Sequence, residues 1–356
     1  MPISRIATVL VRWFKPNARP LPWRVDADPY HVWISEIMLQ QTRVEAVKPY
    51  YERWMEIYPD IHSVASASLQ EVLMLWEGLG YYSRARNIKK AAELICIRHA
   101  DMLPEEMDDL MQLPGIGRST AGAIASIAYN KDVPVLDGNV KRVVARIFNF
   151  NEPVNVSKHE KELWRLTEQL LPHGNAGIFN QAVMELGETI CLPKNPHCID
   201  CPIRTNCQAD KAGVQGQLPI RLVKANIPLY IVVAAVLEEK GRILITQRPP
   251  EKLLGGLWEF PGGKVEDEES LQQALQREIL EELKIKININ DEIGIYRHAY
   301  THFKVIVHAF LCNRRSGRIY ATEAPQVAWI RPGQFDDFPM GKVDRMIARD
   351  VISRSR

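Results

Sequence analysis

The sequence predicts a multidomain protein, with an all-α domain over residues 1–210, a linker over 211–228 and an α/β domain over 229–356. Three observations carry this expectation. Apolar residues recur at helical spacing through the first part of the chain, whereas short runs rich in β-branched and aromatic residues begin at Tyr230. Between the two textures stand four cysteines, Cys191, Cys198, Cys201 and Cys207, at the spacing C-x6-C-x2-C-x5-C.

In chain order, residues 1–14 read as an amphipathic helix behind a cap at Ser4 rather than as a signal peptide. Apolar positions three and four apart then predict helices over 32–47, 72–76, 88–95, 110–127 and 163–171, with Pro or Gly punctuating the gaps. The linker is rich in Gly, Gln, Pro and basic residues and shows no periodicity. Beyond it, 230–237, 242–246, 294–296 and 304–312 read as strands, and Leu271–Leu283 as a helix among them.

At 356 residues, 46% apolar and 25% charged, the chain can form two full cores. No apolar run approaches the length of a membrane span, so a cytoplasmic protein is expected. The net charge is only +2, and the 26 basic and 25 acidic residues before Ala225 against 19 and 18 from there on favour neither half. Any site for a polyanion must therefore be built locally.

Thiolates spaced as closely as the four cysteines converge more readily on one soft cationic centre than into two unstrained disulfides. The other two, Cys96 and Cys312, are isolated in apolar stretches, which argues further against a disulfide framework. Spacing alone leaves zinc and an iron–sulfur cluster open, because only one C-x2-C knuckle is present.

Upstream, Leu113-Pro114-Gly115-Ile116-Gly117-Arg118-Ser119-Thr120 places a glycine-rich hairpin between two helices. Glycine lets backbone amides approach a phosphate, and the N-terminal end of the second helix adds positive potential, as in a helix-hairpin-helix that grips DNA without reading its sequence. Gly115, Gly117 and Ser119 are the candidate backbone contacts. Asp137 follows at the mouth of another helix, where an ionised carboxylate is favoured.

Together the hairpin, Asp137 and the cysteine motif resemble the helix-hairpin-helix DNA glycosylases that carry a [4Fe-4S] cluster. Trp23-Arg24, Trp33-Ile34-Ser35-Glu36-Ile37-Met38-Leu39-Gln40-Gln41-Thr42 and Gly78-Leu79-Gly80-Tyr81-Tyr82 are similar to the MutY-type adenine DNA glycosylases, and the resemblance runs over nearly the whole chain.

That resemblance implies a monofunctional enzyme of base excision repair that binds double-stranded DNA, hydrolyses the glycosidic bond of adenine opposite 8-oxoguanine or guanine, and works as a monomer. It implies iron rather than zinc at the four cysteines, in a structural role that holds Lys194, His197 and Arg204 near the DNA, and no metal in the glycosylase chemistry itself. Where the related endonuclease III has a catalytic lysine this chain has Ser119, so no Schiff base with the deoxyribose is expected there; Lys141 is not expected to replace it.

The chemistry needs a proton donor to the leaving adenine and an anion for the positive sugar left behind. The apolar helix around Glu36 favours the neutral acid. By resemblance Glu36 is the acid and later the base, Asp137 the anion that also bonds to the sugar, and Asn139 orders the water. A flipped base needs a pocket. Trp23, Arg24, Leu39 and Gln181 are implied to line it, and Gln41, Thr42, Leu79 and Tyr81 to engage the opposite base. Arg84, Arg86, Lys89 and Lys90 begin one helix and either contact phosphates or form a solvated face.

In the second domain Gly263-x5-Glu269-x7-Arg277-Glu278-Ile279-x-Glu281-Glu282 resembles the Nudix box, in which helical glutamates hold Mg2+ against a nucleoside diphosphate, with Lys284 in place of the terminal glycine. Two readings stay open. Either this Nudix-like domain only recognises 8-oxoguanine, through Thr301 and His302 in a Tyr300-Thr301-His302 loop, or Glu278, Glu281 and Glu282 also keep an Mg2+-dependent hydrolase site.

Overall fold

The structure, a computed structural model, describes residues 4–222 and 227–354. The side chain of Ser4, with its expected cap, and linker positions 223–226 lie outside the described residues. The chain divides into two compact units, Met1–Ser66 with Asn87–Val223, and Ala67–Arg86 with Lys224–Arg356.

The helices are α1 (Ser4–Asn17), α2 (Pro29–Leu39), α3 (Val44–Ile57), α4 (Ile61–Ser66), α5 (Leu69–Trp76), α6 (Ser83–His99), α7 (Met107–Gln112), α8 (Arg118–Tyr129), α9 (Gly138–Ile147), α10 (Ser157–Leu170), α11 (Ala176–Thr189) and α12 (Gln208–Lys211). Asp28 caps α2 by accepting from the Tyr30 and His31 amides, with Pro29 at the first helical position. The single periodic run expected over 32–47 is two helices. Gln41 adopts φ +57, a left-handed turn that periodicity does not reveal. The run over 110–127 divides at the glycine hairpin, where Gly115 has φ +82 and an added Cβ would stand 2.8 Å from the Asn87 Cβ.

In the first unit Leu10 and Phe14 of α1 join Val140, Val143 and Val144 of α9, Leu163 and Leu166 of α10, and Phe179, Val183 and Leu186 of α11 in one buried core. This packing fixes the start of α9, where Asp137 stands.

The second unit is built on β1 (Leu229–Glu239), β2 (Arg242–Gln247), β3 (Trp258–Glu259), β4 (Gly262–Lys264), α13 (Leu271–Leu283), β5 (Lys286–Ala299), β6 (Lys304–Ser316), β7 (Val327–Ile330) and α14 (Lys342–Arg354). The strands run in the order β3-β2-β1-β6-β5, with β4 also paired to β1 and β7 to β2. Strand β1 is parallel to β6, and the other pairings are antiparallel. Alternation along β1 sends Val233, Ala235 and Leu237 to the face covered by α13, and Ala234 and Val236 to the face that packs with α14. Strand β5 is far longer than the expected 294–296 because its polar stretch is carried through register shifts against β6, which break the alternation.

Candidate active site

A cavity of about 380 Å3 in the first unit is lined by Trp23, Arg24, Glu36, Leu39, Gln41, Thr42, Ser119, Asp137, Asn139 and Gln181. Residues from α2, the hairpin, the start of α9 and α11 are thereby brought together across some 160 positions of chain. The volume falls within the range of small-molecule and base pockets.

Glu36 projects into the cavity from α2, whose neighbouring Trp33, Ile34, Ile37 and Met38 are buried. Burial, then the negative charge of Asp137, push its carboxyl up to about 7, with Arg24 opposing. Asp137 caps α9 by accepting from the Val140 amide at 2.7 Å. Burial raises its pKa as well, against the pull of the Val140 and Asn139 amides and of Arg142. A helix end alone therefore overstates how readily Asp137 ionises. What separates the two carboxyls is that Asp137 has amide donors and a guanidinium, while the first charge Glu36 meets is negative.

Arg24 is held by a carboxylate that sequence reading missed. Glu185, buried on α11, accepts from Arg24 at 2.9 Å and from Arg19 at 2.6 and 3.1 Å. Burial alone would raise the Glu185 pKa, yet the two arginines bring it below the ordinary value. Arg142 plays a similar part on the other side, donating to the Asn139 Oδ1 at 2.8 Å and to the Gly187 and Cys191 carbonyls at 2.7 Å. Asn139 in turn donates to Glu188 at 3.3 Å. The signal available beforehand was the spacing of Gln181, Glu185 and Glu188, which puts them on one face of α11.

Ser119 accepts from the Leu136 amide at 3.2 Å, tying the second hairpin helix to the segment that ends at Asp137. Gly115 and Gly117 stand on the hairpin itself and are not part of the cavity lining. Lys141 is paired with Glu160 at 2.8 Å. Of the basic residues at the start of α6, Arg84 and Lys89 are buried and Lys90 is exposed. The Arg84 guanidinium donates to the Leu79 and Gly80 carbonyls and lies over the Trp76 and Tyr81 rings, and Lys89 donates to the Ala65 carbonyl at 2.6 Å.

Cys191, Cys198, Cys201 and Cys207 line one small space together with Arg146 and Arg204, and none is in a disulfide. Burial pushes the Cys201 thiol up to about 12, and burial and the neighbouring sulfurs raise Cys198 and Cys207. Arg146 offers compensating donors, one of them 3.1 Å from the Cys191 sulfur. Among the described residues no three of these sulfurs lie within 4.8 Å of one another. Zn–S bonds of about 2.3 Å would require tetrahedral edges of roughly 3.8 Å, so the donor set suits a larger centre.

In the second unit the loop carrying Leu79 and Tyr81 passes through Gly78, Gly80 and Tyr81 itself in left-handed conformations. Leu79 is buried, and Tyr81 is 40% exposed. The Tyr81 hydroxyl lies 2.7 Å from that of Thr301, and His302 is exposed beside it. On α13, Glu278 takes a hydrogen bond from Arg277 at 3.0 Å, Glu282 one from the Gly262 amide at 3.1 Å, and Glu281 is exposed. Gly263 lies so close that a Cβ there would stand 2.2 Å from the Glu278 carboxyl carbon. Lys284, at the box's missing glycine, takes φ +57. Among the described residues these acids do not form a convergent group of three.

Comparison with known proteins adds the lineage. Residues 34–169 match the HhH-GPD superfamily base excision DNA repair proteins, and residues 232–350 match the NUDIX domain. The chain is 35% identical to the adenine DNA glycosylase of Buchnera aphidicola subsp. Acyrthosiphon pisum, over 85% of each chain. It is 34% identical to the adenine DNA glycosylase of Homo sapiens, over 92% of this chain and 70% of the human one. Among solved structures, a thermostable thymine-DNA glycosylase superposes on 59% of this chain and 97% of its own, with a TM-score of 0.54 and 26% identity. The protein binds DNA and is a base excision repair glycosylase: the chain belongs to the adenine DNA glycosylases.

Proposed function

We propose that this enzyme removes adenine mispaired with 8-oxoguanine or guanine in double-stranded DNA, as a monomer, and stops at the abasic site. The observation that carries the reading is the cavity in which Glu36 and Asp137 face one space from different elements, Glu36 with its carboxyl raised to about 7 beside a negative neighbour and Asp137 against amide donors and Arg142. Glu36, its carboxyl raised to about 7 and so still partly protonated at neutral pH, protonates a ring nitrogen of the flipped adenine; the glycosidic electrons leave with the base, and Asp137 as carboxylate stabilises the sugar cation. Asn139, fixed by Arg142 and Glu188, then orders a water, and Glu36 takes its proton as it attacks. Trp23, Arg24, Leu39 and Gln181 hold the adenine; Gln41, Thr42, Leu79, Tyr81, Thr301 and His302 engage the opposite base; and Gly115, Gly117 and Ser119 seat the backbone.

The four cysteines fit a [4Fe-4S] cluster by their number, softness and spread. That cluster would tie 191–207 into a rigid, DNA-facing loop. The reading of the second unit as a recognition module rests on Thr301 bonded to Tyr81, and on glutamates engaged by Arg277 and Gly262 rather than gathered for Mg2+.

An alkali-quenched cleavage assay on defined duplexes tests the reading. Adenine should be released opposite 8-oxoguanine and guanine, and nicks should appear only after alkali. Equal activity on thymine glycol, or nicking without alkali at the glycosylase rate, would overturn it.

A further inference from the structure

We propose that His62, Cys96 and Asp101 of the first unit form a second metal site, which takes one Zn2+ at the surface and ties α4 to the C-terminal end of α6. Their ligand atoms all lie within 4.8 Å of one another, and the His62 Nδ1 is 3.8 Å from the Asp101 Oδ2. Zinc bonds of about 2.0–2.3 Å to N, O and S place tetrahedral ligands roughly 3.3–3.8 Å apart, so small side-chain rotations complete the site. The four cysteines near the end of the first unit are spread too widely for this; the two donor sets have different sizes and would select different centres.

The local backbone serves the arrangement. Helix α6 ends at His99, and Ala100 and Asp101 follow with φ +49 and φ +62, which turns the Asp101 carboxylate back so that the Cys96 thiol is hydrogen-bonded to it. Cys96 is thus a half-buried thiol facing a polar partner, unlike Cys312, which is buried in an apolar core. His62 reaches the pair from the start of α4, a helix of six residues whose other end is held by Lys89 donating to the Ala65 carbonyl. Imidazole, thiolate and carboxylate suit zinc and disfavour Mg2+ or Ca2+, which prefer oxygen alone. Binding exchanges the Cys96 proton for the cation, and water fills the fourth position on the exposed side.

The test uses the full-length protein with its iron content measured, freed of loose metal by a mild chelator and titrated with Zn2+ against a chromophoric competitor. Wild type is expected to bind one Zn2+ per chain that Cys96→Ser lacks, with His62→Ala and Asp101→Asn at least about tenfold weaker. Zn2+ should raise the melting temperature of wild type and leave that of Cys96→Ser unmoved. Iron content and adenine release should be alike in all four proteins, since none of the three residues lines the cavity. Equal zinc stoichiometry and affinity in wild type and Cys96→Ser would overturn the site, and would do so even if that zinc sat at the other cysteines.

Discussion

Burial and the negative charge of Asp137 set how tightly Glu36 holds its proton in the cavity. In its proposed acid role the Glu36 carboxyl, pushed up to about 7, can donate a proton only below that value, so kcat/KM for adenine release should fall as pH rises through about 7. Glu36→Gln should bind mispaired DNA and release no adenine; substantial turnover would remove Glu36 from the acid role. The same shift has a stability consequence of defined sign. Because the folded state holds this proton more tightly than the unfolded chain, stability falls as pH rises from about 4.5 to 7, the folded pKa, and the penalty is complete above it. Glu36→Gln removes the penalty, and its melting temperature relative to wild type should rise between pH 5 and pH 8, by the equivalent of about 1–3 kcal/mol. Glu185 acts differently. Removing this buried partner of Arg19 and Arg24 should cost about 3 kcal/mol and, by loosening Arg24, raise KM as well. Glu36 and Asp137 could be picked out by motif. The Glu185 pairs could not, because 166 and 161 positions separate the partners and no local pattern announces a contact that only folding creates.

At the scale of the element, two positions with positive φ have opposite chemistry. Gly115 is where glycine is required: an alanine there would meet Asn87 at 2.8 Å in a backbone conformation it resists. Gly115→Ala should destabilise the protein by about 1–3 kcal/mol and weaken binding to matched and mispaired duplexes alike, since the hairpin is assigned to the DNA backbone; a loss confined to mispairs would contradict that assignment. Lys284 is the reverse, a side chain standing where glycine would be relaxed. Lys284→Gly should raise stability by about 0.5–1 kcal/mol in thermal unfolding, without touching adenine release. These examples show which elements were readable. Periodicity exposed α1, α6 and α10, whose buried faces repeat every three or four residues, but it passed over α11 and most of α3. It missed the turn at Gln41, set by backbone dihedrals, and most of β5, whose register shifts put polar residues where alternation expects apolar ones. Helix α14 was also unanticipated, although Val343, Ile347 and Val351 carry a legible spacing of four.

For the whole molecule, the proposed division of labour between the two units would make substrate preference and chemical rate separable. The cavity with Glu36 and Asp137 belongs to the first unit, whereas Tyr81 and Thr301, 220 residues apart in sequence and hydrogen-bonded to each other, belong to the second. Thr301→Val leaves the Tyr81 hydroxyl without this partner and should lower adenine release opposite 8-oxoguanine, relative to that opposite guanine, by about five- to tenfold, with Thr301→Ser restoring it. Single-turnover adenine release from a saturating guanine mispair should stay unchanged. The box glutamates provide the counterpart. Glu278 and Glu282 would have to leave Arg277 and the Gly262 amide to gather round Mg2+, and burial already pushes the Glu282 carboxyl up to about 7, which disfavours the anion a hard cation needs. The full-length protein incubated with Mg2+ and 8-oxo-dGTP should therefore release no pyrophosphate, while adenine release should be insensitive to chelation of Mg2+. Steady pyrophosphate release that Glu282→Gln abolishes would instead make the second unit an enzyme in its own right, and its Nudix-like box a second active site on the chain.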